Sequence, residues 1–361
     1  MAEELKSVYR IANLGKFENL PELAVLIYNG NKNELEKLLK AGMDVEEKLA
    51  IGKHTVLTPL ALALYVNKPE IAKLLIEHGA ELNDKLNPAF LLAVRYGDEE
   101  LVRYLHGKGA KMDRLSRVKS SAYDEAYYGN KHNIPVIREL GLDIAKYGGK
   151  TLRKAVSDAD RKTADYLLDH GVDINYNEPD MVYPYRATPL TVAARMNSMA
   201  MVEYLVERGA DVTLAEKDGE RAYTIAVTQH NTEMAEYLKS LEPAEFHSRS
   251  NKLHALRGYG LPAELIDFLC GDNRRVEIPQ NEFEVRFVEF LALEDTVELT
   301  AGRQKLLRLS AELDAYSHLL IVWHKGKKGI GFYDIEHKEY GHLGKFADFL
   351  NDPEAFLAKM F

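Results

Sequence analysis

The run Gly149-Lys150-Thr151, inside KYGGKTLRKA, ends like a phosphate-binding loop, in which a glycine-rich turn and a lysine cradle the phosphates of a nucleotide. The pattern G-x-x-x-x-G-K-T fails at its first position, where Ile144 stands in place of glycine. Such a loop also needs a strand before it, and none is expected here. The twelve histidines raise the question of a metal ion. His318 and His324 flank an expected strand, on one face but about 20 Å apart at the rise of an extended chain, too far to share an ion. His337 and His342 follow them, and no H-E-x-x-H, nor any histidine pair one helical turn apart with an acidic third ligand, occurs. The stretch KGKKGIG, Lys325 to Gly331, has the charge to cradle an anion, but a basic glycine-containing hairpin turn explains it without a ligand. Cys270 is the sole cysteine, which excludes an internal disulfide. It closes an apolar helical stretch, as a packed thiol would, and has no evident base to activate it. Neither G-x-S-x-G nor a pair of catalytic carboxylates presents itself. These residues point to a non-enzymatic protein without cofactor or metal.

The elements behind them must explain the glycines and lysines some other way. Apolar residues make up 46% of the 361 and charged residues 29%, the balance of an ordinary globular chain. No run of eighteen apolar residues occurs, and MAEELKSVYR lacks the basic start and apolar centre of a secretory signal, so a cytoplasmic protein off the membrane is expected. The net charge is -9, more than half of it contributed from Leu253 onward. That sign disfavours direct nucleic-acid binding, which rests on clustered lysine and arginine, and suits a basic protein partner.

A repeat organises the first two thirds. Gly42, Gly79, Gly109, Gly141, Gly171 and Gly209 each close an apolar helical pattern such as EIAKLLIEHGAE or MVEYLVERGAD, where a left-handed residue ends a helix. Twenty-one residues before five of them stand Pro21, Thr58, Pro88, Lys150 and Thr188, opening PELAVLI, TPLALAL, PAFLLAV, KTLRKAV and TPLTVAA. The spacing between successive glycines varies, and all of the variation falls after the glycine. Two helices of fixed length must pack on their neighbours, whereas the connecting finger lies in solvent and lengthens at little entropic cost. Ala63, Ala93, Ala155 and Ala193 recur where helices approach closely, with Leu60, Phe90, Leu152 and Leu190 three residues earlier.

This pattern resembles the ankyrin repeat, whose T-P-L-H-x-A signature is matched in part by Thr58-Pro59-Leu60 and Thr188-Pro189-Leu190, with Ala63 and Ala193 in register. The signature histidine is replaced throughout, by Ala24, Ala61, Leu91, Arg153 and Thr191, which leaves open what joins adjacent hairpins. A degraded copy, SSAYDEAYYGN, precedes Gly141 and is one residue short in its second helix; a seventh, RAYTIAVTQHNTEMAEYLKSL, lacks the glycine and reads as a cap. The resemblance implies an all-α solenoid of about six to seven repeats over residues 20–242, preceded by an extension or cap at 1–19.

Residues 243–252 read as a polar linker, and 253–361 as a small α+β domain. GLPAELIDFLCG has helical spacing, VRFVEFLAL alternates as a strand, and QKLLRLSAELDAY returns to helical spacing. HLLIVWHKGKKGIGFYDIEHKEYGHLG reads as strands about a Gly-Lys turn, and KFADFLNDPEAFLAKMF as closing helices. The order resembles the SUKH superfamily of bacterial immunity proteins and fungal Smi-type regulators, carried by LPAELIDFL, RFVEFLAL, LLIVW...GIGFYDIE and FADFLNDPEAFL. What that implies is an immunity protein that neutralises a polymorphic toxin, a basic protein such as a nuclease. The alternative is an ankyrin scaffold, regulator or host-directed effector that neutralises nothing.

Two sets of residues are candidates for partner contact. One is the long finger 172–187, with Met181, Tyr183 and Tyr185, and with Arg153 at the signature-histidine position. Tyrosines offer contact area at small entropic cost, yet the same rings could fold onto their own array. The other is the acidic set Glu282, Glu284, Glu289, Glu294, Asp295 and Glu298, read either as a solvated edge or as a docking face for a basic partner.

Overall fold

The structure is a computed structural model, and it describes residues 8–279 and 281–361. The part of the expected N-terminal cap that precedes Val8 lies outside the described residues; the remainder is an antiparallel hairpin of β1 (Val8–Ile11) and β2 (Gly15–Glu18). Backbone contacts divide the chain into two compact units, the first running to Leu152 and including Asp165–Val172, the second comprising Arg153–Ala164 and Asp173–Phe361.

In the first unit the helix pairs are α1 (Glu22–Asn29) with α2 (Lys32–Lys40), α3 (Pro59–Tyr65) with α4 (Pro69–Glu77), α5 (Ala89–Tyr96) with α6 (Glu99–Gly107), and α7 (Ala122–Tyr128) with α8 (Asn133–Glu139). Two of the first helices start at a side-chain cap, whereas α1 and α5 follow Pro21 and Pro88 without one. Thr58 accepts from the Ala61 amide with Pro59 at the first helical position, and Ser121 and Asp124 form a reciprocal capping box. The shortened second helix of the fourth copy is α8, with seven residues where α2, α4 and α6 have nine. The hairpin β3 (Leu49–Gly52) and β4 (Thr55–Leu57) occupies the first finger.

The ruler has its expected cause. Gly42, Gly79, Gly109, Gly141, Gly171 and Gly209 all take φ between 90° and 101°, the left-handed region. At the first of them the Gly42 amide reaches the Leu39 carbonyl and Met43 the Leu38 carbonyl, which satisfies the open end of α2. Ala63, Ala93, Phe90 and Leu152 are fully buried. Truncating a buried phenylalanine such as Phe90 costs about 3–5 kcal/mol.

Between the fourth and fifth copies a short helix, α9 (Ile144–Tyr147), precedes α10 (Gly149–Ser157), so Gly149 and Lys150 are already helical and do not lie in an opening turn. Among the described residues the element that leads into the GGKT run is α9, not a strand. Thr151 donates instead to the buried Asp124 carboxylate at 2.7 Å, and Lys150 to the Lys119 carbonyl at 2.8 Å.

After α11 (Arg161–Asp169) come α12 (Pro189–Arg195) with α13 (Met199–Glu207), and α14 (Ala222–Thr228) with α15 (Thr232–Leu241). The stretch read as a linker is largely helical, with a 3-10 turn at Ala244–His247 and α16 (Arg249–Ala255). Arg249 pairs with Glu294 at 3.0 Å and the Lys252 ammonium donates to the Thr296 carbonyl. The C-terminal domain adds α17 (Ala263–Cys270), then β5 (Arg275–Glu277), β6 (Phe287–Phe290), β7 (Val297–Ala301), β8 (Gln304–Arg308), β9 (Ser310–Leu313), β10 (Leu319–His324), β11 (Gly329–Asp334) and β12 (Glu339–Gly344). Helices α18 (Phe346–Asn351) and α19 (Pro353–Leu357) close it. Its sheets run β12-β11-β10-β8-β7 and β5-β6-β9, all antiparallel.

The helix expected over QKLLRLSAELDAY is instead the strand pair β8 and β9. Leu307 faces the main core with Leu265, Phe290, Trp323 and Phe346, while Leu306 faces a smaller cluster with Leu299 and Val322. A strand apolar on both faces loses its alternation, and leucines spaced three and four apart then imitate a helix.

Candidate protein-binding surfaces

The first unit carries a row of tyrosines at the ends of its first helices. Tyr28 sits near the end of α1, and Tyr65, Tyr96 and Tyr128 are the last residues of α3, α5 and α7. The Tyr65 and Tyr96 rings lie 5.4 Å apart, and Tyr9 of β1 meets Tyr28 edge-on at 5.1 Å. Arg95 is held by Glu125 at 2.6 Å and lies 5.5 Å from the Tyr96 ring and 5.8 Å from that of Tyr128, which is more than half exposed. Burial pushes the Tyr96 phenol up to about 12 and raises that of Tyr65, and both hydroxyls already donate within the chain, to Asn13 at 2.5 Å and Asn87 at 3.3 Å. A row of half-buried phenols with one guanidinium offers large apolar area with polar tips, the composition that dominates protein interfaces. Sequence reading missed the row. Its signal was available, since each tyrosine stands seven or eight residues after the start of its repeat.

The finger of the second unit separates its own residues into two kinds. Met181 is 78% exposed and Val182 65%, forming an apolar tip. Tyr183 and Tyr185 are partly buried, with the Arg153 guanidinium 5.1 Å from the Tyr183 ring and that of Arg195 4.9 Å from the Tyr185 ring. The rings thus fold onto their own array. Arg153, read as a partner contact, is fully buried. It donates to the Ala187 carbonyl at 2.9 Å and the Asp180 carboxylate at 2.6 Å, and stacks on Tyr176 at 4.7 Å. Asp180 in turn accepts from the amides of Val182 and Tyr183, which shapes the tip. The arginine at the signature-histidine position therefore ties its helix to the start of the next copy and to the finger between them. In the sixth copy Thr191 takes that position and completes a capping box with Thr188.

Three of the six residues in the acidic set are engaged within the protein. Glu294 pairs with Arg249, Asp295 accepts from the Tyr223 hydroxyl at 2.8 Å, and Glu298 accepts from that of Tyr259 at 3.0 Å. Glu282 and Glu284 are exposed in the connection before β6, and Glu289 lies on β6. Sequence reading also missed a buried network: Arg195 reaches Glu216 at 2.5 Å and Glu220 at 2.7 Å, and Arg308 of β8 reaches Glu220 at 2.6 Å. Asp218 lies among them, so three carboxylates face two guanidiniums. Burial raises the Glu216 carboxyl to about 7 against the pull of Arg195. Gly219, at φ 85°, lets the finger approach β7 so closely that a Cβ would stand 2.5 Å from the Glu298 carbonyl oxygen.

A family model of ankyrin repeats matches residues 23–116 and 152–250, just over half of the chain. The chain belongs to the ankyrin-repeat proteins. It is similar to the ankyrin repeat and KH domain-containing protein mask-1 of Caenorhabditis elegans, 27% identical over 198 residues, which are 51% of this chain and 7% of that protein. It thus spans a small fraction of that relative's length. The human ASB11 ankyrin repeat domain, a solved crystal structure, aligns with a TM-score of 0.48 and 20% identity, covering 62% of this chain and 98% of that one. Ankyrin repeats suggest a role in protein–protein interaction. No helix among the described residues is long and apolar enough to cross a membrane.

Proposed function

We propose that the protein is a non-enzymatic cytoplasmic binding protein of the immunity type, which holds a toxin inactive by covering it. The observation that carries the binding role is the tyrosine row at the helix ends, with Arg95 set among the rings. The partner is a protein, and the acidic balance of the chain suits a basic one such as a nuclease. Reading the C-terminal domain as SUKH-like is supported by a leading helix, antiparallel strands about a Gly-Lys turn and two closing helices. Glu282 and Glu284, exposed ahead of β6, remain as the acidic contacts of that domain, and Met181 with Val182 as the apolar contact of the finger. Co-expression with a toxin encoded beside its gene tests the reading. The expected result is restored growth and a complex that survives size-exclusion chromatography. A stable complex without rescue would favour a scaffold or regulator; neither rescue nor complex would remove the immunity reading.

A further inference from the structure

His230 lies in the turn between α14 and α15, at φ 56°, where the second, fifth and sixth copies carry Asn67, Ala159 and Asn197 in the same left-handed conformation. Its Nε2 approaches the Glu312 carboxylate of β9 at 3.1 Å. Glu312 is the direct cross-strand partner of Glu289 on β6, so two carboxylates stand side by side on one sheet face. Like charges directly opposite each other destabilise a strand pair unless something neutralises them. The neighbouring cations are committed elsewhere. Arg275, opposite Glu289 on β5, pairs with Glu277 and lies 3.5 Å from the Phe287 ring, and Arg286 grips Asp314 with both arms of its fork. Among the described residues no hydrogen bond or ion pair reaches the Glu289 carboxylate, although it is half-buried.

One nitrogen and two carboxylate oxygens from these three residues lie within 4.8 Å of one another. Around a tetrahedral ion with bonds of about 2.0–2.1 Å, ligand atoms stand roughly 3.3 Å apart. The His230–Glu312 separation, 3.1 Å, already has that value to within a few tenths of an ångström, and a Glu289 carboxylate oxygen stands within 4.8 Å of both. We propose that His230, Glu289 and Glu312 bind a divalent transition-metal ion of the zinc class, with water completing the shell, so that the last repeat and β6–β9 share one ion. The imidazole favours zinc, copper, nickel or cobalt over calcium and magnesium, which prefer oxygen alone. Partial exposure of all three residues leaves the ion a way in.

The alternative is a plain ion pair between His230 and Glu312, and Glu289→Gln separates the two because it spares that pair. Zinc chloride titrated into the metal-stripped full chain by calorimetry should show one equivalent bound. Both Glu289→Gln and His230→Gln should weaken it at least tenfold, and millimolar magnesium should not compete. Thermal unfolding of each variant without metal establishes that it is folded. Absence of stoichiometric zinc binding, or binding unchanged in both folded variants, would overturn the proposal. Zinc binding weakened by His230→Gln but untouched by Glu289→Gln would overturn the three-residue site as well.

Discussion

Arg153→Ala is the substitution on which the reading of the finger depends most. The side chain is fully buried, makes two hydrogen bonds, one of them to the carboxylate of Asp180, and touches the faces of Tyr176 and Tyr183. A charge-assisted hydrogen bond contributes about 1.5–3 kcal/mol and each ring contact about 0.5–1 kcal/mol, while desolvating the guanidinium costs several kcal/mol in the opposite direction. The net worth of the arginine is therefore modest. Its removal is not, because Asp180, itself largely buried, loses its counter-ion, and breaking one side of a buried pair costs about 3–5 kcal/mol. For a unit of this size that corresponds to a fall in melting temperature of roughly 6–20 °C. Hydrogen exchange gives the local readout: the amides of Val182 and Tyr183, held by Asp180, should lose protection well before those of α4 in the first unit. Arg153→Lys should recover part of the loss, since an ammonium replaces the charge but not the planar fork. Destabilisation by Arg153→Ala of less than about 0.5 kcal/mol, with protection at Val182 and Tyr183 intact, would refute the claim that this arginine organises the finger; surface substitutions fall in that range.

Glu216 should give the second unit a particular pH dependence. Its folded carboxyl titrates near 7, above the ordinary carboxylate range, so between about 4.5 and 7 the folded state holds a proton that the unfolded state has released. Stability from this group is present at lower pH and lost as pH rises through 7; Glu216→Gln should flatten that slope in denaturant melts at pH 5, 6, 7 and 8, and an unchanged slope would place the titration elsewhere. Gly209→Ala puts a Cβ on a residue at φ 92° with open space around it, so only backbone strain acts. About 1 kcal/mol of destabilisation is expected by chemical denaturation, and no change would remove the conformational reason for the ruler.

The array was legible because its constraints are local and recur. Closing glycines, threonine-proline starts and buried alanines each answer to one helix and its neighbour, and six copies repeat the closing glycine. The exceptions are residues whose partners lie far along the chain. Arg153 looked like a surface arginine until the start of the next copy and Asp180 closed around it, and Tyr183 and Tyr185 were pinned by arginines on two different helices. Arg308 finds Glu220 88 residues away, and His230 finds Glu312 82 residues away, separations at which no spacing rule operates. In the C-terminal domain the closing helices and the hairpin about Lys325–Lys328 were readable, whereas β8 was not, because Leu306 and Leu307 are both buried on opposite faces.

Binding of the proposed toxin partner, in a catalytically inactive form, tests the central claim most directly when the protein is compared with its Tyr65→Ala/Tyr128→Ala variant. Both rings sit at the ends of first helices, so the account predicts a loss of at least tenfold in affinity by calorimetry, with the variant still folded. Unchanged affinity in a folded variant would contradict the assignment of the tyrosine row as the binding surface.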